Sequence, residues 1–325
     1  MDQEFEVVEQ PTQWKAYFTH IALFVVTFLT TTLAGVAWVA KNPFEITNFP
    51  AGLTYSVLLL AMLSAHEFGH YFAARYHKVD TTLPFFLPFP PAFILNQFGT
   101  MGAVIRIRGS IPSKKALFDI GAAGPIAGFV VTVIILAIGF VTLPSKEYLY
   151  TIHPEYALLP EIPQLGLTFG NTLMYSLFEK VFSPAGAFIP PMNEIYHYPF
   201  LCVGWFGMLV TAMNLIPIGQ LDGGHISFSL FGNRYHTIAQ VCLVVLVVLG
   251  LAGLLPEIGI NFHYGWFGWF FWAMILIFMI RVFRMHRAPI DDDTPLDPVR
   301  RAIGWSCIVI FVLCFSLVPM AFPLE

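Results

Sequence analysis

Seven apolar stretches, at about 17–40, 52–75, 116–142, 199–219, 237–255, 263–283 and 303–322, constrain this chain more than any other feature of it. Each approaches or exceeds the roughly 20 apolar residues that a helix needs to cross a bilayer. Lipid offers the backbone no hydrogen-bond partners, so a spanning segment must be a helix or part of a closed barrel, and runs this long favour helices. Only 11% of the 325 residues are charged, against about 25% in an ordinary soluble domain. That is too few to clothe a water-exposed globule, so much of the surface must face a lipid bilayer. The expected fold is an all-α polytopic membrane protein with about seven transmembrane helices.

The first ten residues, MDQEFEVVEQ, are acidic. They resemble neither the basic start of a signal peptide nor an Arg/Ser-rich transit peptide, so the first apolar run is expected to remain as a span. Lysine and arginine favour the cytoplasmic side of membranes. With the N-terminus on that side, Lys15, Arg75, Lys78, Arg106, Arg108, Lys114, Lys115, Arg234, Arg281, Arg284, Arg287, Arg300 and Arg301 are all cytoplasmic, leaving Lys41, Lys146 and Lys180 outside. The expected placement is multi-pass with a cytoplasmic N-terminus, in a bacterial plasma membrane given the missing transit signature. A net charge of −4 provides no general basic footprint, so nucleic acid is excluded as a partner. Cys202, Cys242, Cys307 and Cys314 lie in apolar runs without zinc-ribbon or disulfide spacing and read as packing residues.

Two connections are more than loops. Residues 79–111 are apolar, yet Pro84, Pro88, Pro90 and Pro91 exclude a helix. Met101–Ile107 reads as a strand beside a turn, which predicts a small membrane-associated β-hairpin or sheet on the cytoplasmic side. The 143–198 connection falls outside and is acidic, and its NTLMYSLFEKVF segment predicts an amphipathic helix lying on the membrane.

The second run contains Ser64-Ala65-His66-Glu67-Phe68-Gly69-His70. Histidines four apart share one helix face, so both imidazoles can reach one tetrahedral zinc. Glu67 between them can hydrogen-bond a metal-bound water and take its proton as general base. Ionisable groups inside a lipid-embedded helix are costly unless paired or functional. A catalytic zinc needs a third protein ligand and an open position. The candidate is Asp222, in Asn214-Leu215-Ile216-Pro217-Ile218-Gly219-Gln220-Leu221-Asp222-Gly223-Gly224-His225 at the cytoplasmic end of the fourth run. Gly121, Gly124 and Gly128 recur at helical spacing, and such small faces let membrane helices approach closely. The third run can therefore press on the second, beside the zinc. His225 is a candidate partner for the ligands. His20, His77, His153, His197, His236, His263 and His286 are scattered, and no site is read from them.

H-E-F-G-H on one span and N-x-x-P-x-x-x-x-D-G-G on a later one resemble the site-2 protease family of intramembrane zinc metalloproteases. Phe118-Asp119-Ile120-Gly121-Ala122-Ala123-Gly124-Pro125-Ile126-Ala127-Gly128, with L-P-F-F-L-P-F and G-T-M-G-A-V before it, is similar to the plastid and cyanobacterial-type branch. The resemblance covers about residues 52–232. It implies His66, His70 and Asp222 as Zn2+ ligands, Glu67 as catalytic base and Asn214 as a substrate-binding residue. The implied activity is endopeptidase cleavage of transmembrane protein substrates, in regulated proteolysis or clearance of membrane remnants. The chain departs from many relatives in lacking a PDZ-like domain between the third and fourth spans. The expected division is an N-terminal tail and first span (1–51), a catalytic membrane core (52–232) and C-terminal accessory spans (233–325). A catalytically silent membrane-protein chaperone would ordinarily have lost Glu67 or a ligand. A metal or proton transporter would show repeated sites or an internal repeat, and neither pattern is found.

Overall fold

A computed structural model describes residues 13–90, 98–283, 290 and 294–321. The acidic segment 1–12, Pro91, Arg284, His286, Arg287 and the last residue of the seventh apolar run lie outside the described residues. The elements are α1 (Gln13–Trp38), α2 (Phe49–Tyr76), β1 (Phe85–Pro88), β2 (Thr100–Val104), α3 (Lys114–Val141), α4 (Lys146–Ile152), β3 (Thr168–Phe169), α5 (Leu173–Phe182), α6 (Pro199–Leu215), α7 (Asp222–Phe231), α8 (Tyr235–Ala252), α9 (Phe267–Phe283), α10 (Pro298–Cys314) and β4 (Met320–Ala321).

The chain is mostly helical and has the apolar helices of a multi-pass membrane protein. Four described stretches are long and apolar enough to cross a bilayer: Tyr17–Trp38, Ile46–Tyr76, Lys114–Val141 and Asp222–Ile258. Helices α6 and α9 are apolar but only 17 residues long, about 25 Å at the α-helical rise. Length and composition therefore support four spans directly rather than the expected seven.

Two expected spans have different boundaries. The fourth run does not continue to residue 219: α6 stops at Leu215, because a residue before proline is pushed out of the helical region. Ile216, before Pro217, accordingly has ψ 126°. Asp222 therefore begins a new helix, α7, instead of ending the old one. The helix of the seventh run, α10, starts earlier than expected, at Pro298, where the Asp297 side chain accepts from the Arg300 N–H. Aspartate at the cap with proline in the first turn is a strong helix start. This helix ends at Cys314, and β4 then pairs antiparallel with β3.

The β-hairpin is present. Phe85 pairs with Val104, Phe86 with Ala103 and Pro88 with Thr100, with an irregularity in between. The hairpin rests on α1. His20 Nδ1 lies 3.0 Å from the Pro84 carbonyl oxygen, and the Phe24 and Phe86 rings meet edge to face at 5.0 Å. The amphipathic helix is α5, capped by Thr172. It buries Met174 and Tyr175 and leaves Leu173, Leu177 and Val181 exposed.

Helix α2 is sandwiched between α1 and α3. Thr31 and Ser56 share a hydrogen bond of 2.6 Å across α1 and α2, while the Thr27, Thr31 and Thr32 hydroxyls also return to carbonyls of their own helix. Polar side chains thus cross the bundle with their hydrogen-bonding capacity used internally. Aromatic packing around Tyr55, Trp205, Phe206 and Phe169 fills the middle of the bundle and receives Phe98 from the segment before β2, whose ring meets Phe206 at 4.3 Å.

Candidate metal centre

Helix α2 carries His66, Glu67 and His70, all buried. One helical turn separates the histidines, and their Nε2 atoms lie 3.1 Å apart. Asp222 Oδ2, at the first position of α7, lies 3.4 Å from each Nε2. With metal–ligand bonds of about 2.0 Å, the corners of a tetrahedral zinc site lie roughly 3.3 Å apart. These three atoms form one face of such a tetrahedron and leave its fourth corner for water or substrate.

The proton positions agree. His70 Nδ1 is 2.6 Å from the Ile120 carbonyl oxygen, so it donates there and leaves Nε2 to face the Asp222 carboxylate at 3.4 Å. A backbone carbonyl on the far nitrogen commonly fixes a metal-binding tautomer. Two imidazole nitrogens and a carboxylate oxygen are also a donor set that zinc accepts.

The close approach of α3 shapes the centre. A Cβ on Gly124 would lie 2.0 Å from His70 Nε2, whereas one on Gly128 would meet His66 Cβ at 3.1 Å. Gly124 therefore leaves the space occupied by one histidine ring. On the Asp222 side, a Cβ on Gly223 would lie 2.0 Å from the Leu215 carbonyl oxygen. The bare glycine lets α7 fold back against the end of α6, which brings Asp222 over α2.

A cleft of about 600 Å³ opens on this centre, lined among others by Glu67, Ile105, Asn214, Gln220 and His225. Glu67 meets the backbone N–H of Ile105. Arg106 turns its own backbone the other way, with its carbonyl accepting from the Thr82 N–H at 3.0 Å and its N–H donating to Thr82 Oγ1 at 3.0 Å. Alternation along an extended chain then directs the Ile105 N–H and C=O to the opposite edge, beside the cleft. Asn214 Nδ2 lies 3.4 Å from His66 Nε2. His225 lies on α7 three residues beyond Asp222, and its Cβ packs close to Gly121.

A further cluster was not anticipated. Asp119, inside the glycine motif, receives Arg300 of α10 through Nε at 2.8 Å and Nη2 at 2.6 Å. His77 Nε2 lies 2.7 Å from the same carboxylate. A bidentate arginine–aspartate pair is directional as well as strong, and here it joins α3, α10 and the end of α2. The signal available in sequence was a lone aspartate at the start of an otherwise apolar run.

The profile of peptidase family M50 matches residues 54–253. Over 207 residues the chain is 26% identical to a probable zinc metalloprotease EGY2, chloroplastic, of Oryza sativa subsp. indica, covering 64% of this chain and 34% of that protein. It is 32% identical over 191 residues to a probable zinc metalloprotease EGY1, chloroplastic, of Oryza sativa subsp. japonica, covering 58% and 29%. A probable zinc metalloprotease EGY3, chloroplastic, of the latter rice is 25% identical over 331 residues, covering 98% and 50%. The chain thus spans between about a third and a half of the length of these curated relatives.

Proposed function

The chain belongs to peptidase family M50, and we propose that it is an intramembrane zinc metalloendopeptidase cleaving membrane-spanning segments of other proteins. The observation that carries this reading is the convergence of two α2 imidazoles and the α7 carboxylate on one point, with Glu67 beside them and a cleft open to all four. The zinc metalloprotease names of the relatives point to the same activity.

His66, His70 and Asp222 would hold the ion. Zinc there would supply Lewis-acid polarisation of a water and of the scissile carbonyl. Glu67 follows His66 directly on α2. It orients the water through a carboxylate oxygen, takes its proton as oxygen bonds to the carbonyl carbon, and returns that proton to the departing amine as the C–N bond breaks.

A substrate helix uses its carbonyls internally and must unwind before it is cut. We assign the edge beyond Ala103 and Ile105 to the unwound segment, which would add as a strand through main-chain bonds and so demand little of its sequence. We assign Asn214, which also lines the cleft, to hold the substrate backbone. We further propose seven spans, with the shorter α6 and α9 among them. The catalytic core is assigned to 52–232, flanked by 1–51 and 233–325. The basic side faces the cytoplasm, so cleavage products would leave on the side of the hairpin. A bacterial plasma membrane is the placement drawn from the sequence, whereas the relatives are named chloroplastic.

The test is Glu67→Gln in the purified chain with a model transmembrane substrate. Cleavage should fall by about 10²–10⁴-fold, the usual contribution of a positioned acid–base group, with bound zinc unchanged. Undiminished turnover would refute the assignment.

A further inference from the structure

A second group of metal-ligating side chains lies in the 143–198 connection, at the other end of α6 from Asp222. His153, Glu194 and His197 converge there, with their ligand atoms all within 4.8 Å of one another. His197 immediately precedes the turn into α6 and Asp222 follows that helix. The 17 residues of α6 therefore separate the two groups by about 25 Å.

Each side of this cluster is built for a cation. The Nε2 atoms of His153 and His197 are 3.1 Å apart. Glu194 Oε2 is 3.3 Å from His197 Nε2 and 3.9 Å from His153 Nε2. These edges bracket the roughly 3.3 Å expected between ligands of a tetrahedral zinc. Both far nitrogens already have acceptors: His197 Nδ1 meets the Trp38 carbonyl oxygen at 2.6 Å, and His153 Nδ1 meets Glu155 Oε1 at 3.1 Å. Those contacts leave both Nε2 atoms facing each other and Glu194 Oε2, where all three can share one cation.

Glu194 supplies a second, independent observation. It is 1% exposed, and its Oε2 is buried without a hydrogen-bond partner. Its Oε1 is engaged, accepting from the Tyr156 hydroxyl at 3.1 Å and from Asn193 Nδ2 at 3.0 Å. Burial and then the Glu194 carboxylate push Tyr156 up to about 12, so its O–H remains a donor. One carboxylate oxygen is thus held by two donors while the other points at the paired imidazoles. A buried carboxylate oxygen left in this way costs free energy unless a cation meets it.

We propose that His153, Glu194 and His197 form a second metal site of the zinc type, structural in role, which fastens the 143–198 connection to the ends of α1 and α6. The site is independent of the protease reading, since none of its atoms touches the α2 centre. The partly exposed His153 gives an ion and its water access, and the ordered Trp38 contact makes His197 the anchor to α1. Zinc suits two imidazoles and one carboxylate, and the fourth corner falls to water.

The experiment measures zinc per chain by mass spectrometry of the elements, in full-length protein loaded with zinc and dialysed. The unmutated chain should retain two equivalents. His153→Ala and Glu194→Gln should each retain one, as should His66→Ala/His70→Ala, and the triple variant His66→Ala/His70→Ala/His153→Ala should retain none. His153→Ala guards against misfolding, because it leaves the Tyr156–Glu194–Asn193 contacts in place. As a second readout, tetrahedral cobalt(II) absorption should persist in His66→Ala/His70→Ala and vanish in the triple variant. An unmutated chain holding one zinc, unchanged by His153→Ala, would overturn the proposal. So would loss of all metal in His66→Ala/His70→Ala. Neither result depends on peptidase activity.

Discussion

The two groups of potential metal-ligating side chains among the described residues share one plan and sit in opposite settings. In each, two histidine Nε2 atoms stand 3.1 Å apart, a carboxylate closes the triangle, and a backbone carbonyl fixes a far imidazole nitrogen. What differs is the surroundings. The α2 centre has Glu67 as an additional carboxylate beside the ligands and a cleft large enough for a peptide. In the outer group the neighbouring Glu155 is spent on His153 Nδ1, and Glu194 is itself a corner of the triangle. Ligand geometry alone therefore decides whether a metal can bind. A spare base and an approach for substrate decide whether the metal can do work.

Helix α3 offers the sharpest way to break that comparison, since only the α2 centre depends on a glycine cradle. Gly124→Ala would place a methyl group 2.0 Å from His70 Nε2, but Gly128→Ala makes its nearest contact at 3.1 Å. We expect Gly124→Ala to lower cleavage by more than about 10²-fold, in line with misplacement of catalytic groups by roughly 1 Å, and to release one zinc equivalent. Gly128→Ala should change cleavage by only a few-fold. Zinc at the outer group should be unaffected in both. Equal effects of the two substitutions would show that the helices adjust freely and that the cradle is not rigid.

Much of the α2 centre is legible in the sequence. The i, i+4 spacing places His66 and His70 on one face, and the glycine period of α3 points to a close approach. The Pro-rich segment before Met101 excludes a helix in favour of a hairpin. The end of α6 is not legible from hydropathy, which continues apolar across Ile216–Pro217, while the backbone restriction before proline is local and ends the helix there. The outer group was invisible for another reason. His153 and His197 lie 44 residues apart, one at the end of α4 and one in a short 3-10 turn, with no shared periodicity, and Glu194 looks like any acidic loop residue. Similarly, Asp119 and Arg300 are 181 residues apart. Contacts formed by tertiary closure leave no spacing to read.

The hairpin edge separates binding of substrate from binding of metal, again only at the α2 centre. Ala103 shares the outward direction assigned to Ile105 by alternation, so Ala103→Pro removes a donor from that edge without touching a ligand. Loss of one hydrogen bond of about 0.5–1.5 kcal/mol corresponds to cleavage reduced by up to about tenfold. The reduction should appear as a higher KM with zinc content unchanged. Normal KM in this variant would remove strand addition from the mechanism and leave the metal chemistry standing.

The smallest expected effect concerns what carries α10 against the catalytic helices. Asp119 and Arg300 are about a quarter exposed, at 23% and 27%, so solvent screens their pair, and Arg300 keeps Asp297 as a second partner. Asp119→Asn should therefore cost only about 1 kcal/mol, lowering the apparent Tm by roughly 1–2 °C in a chain of this size. If the pair is simply a clamp, kcat and both zinc equivalents should survive the substitution. A fall in kcat at unchanged Tm would instead mean that α10 transmits position to the metal centre. The path would run through α3, whose Ile120 carbonyl holds His70 one residue beyond Asp119. The outer group, which has no such link to α10 through these residues, should respond in neither case.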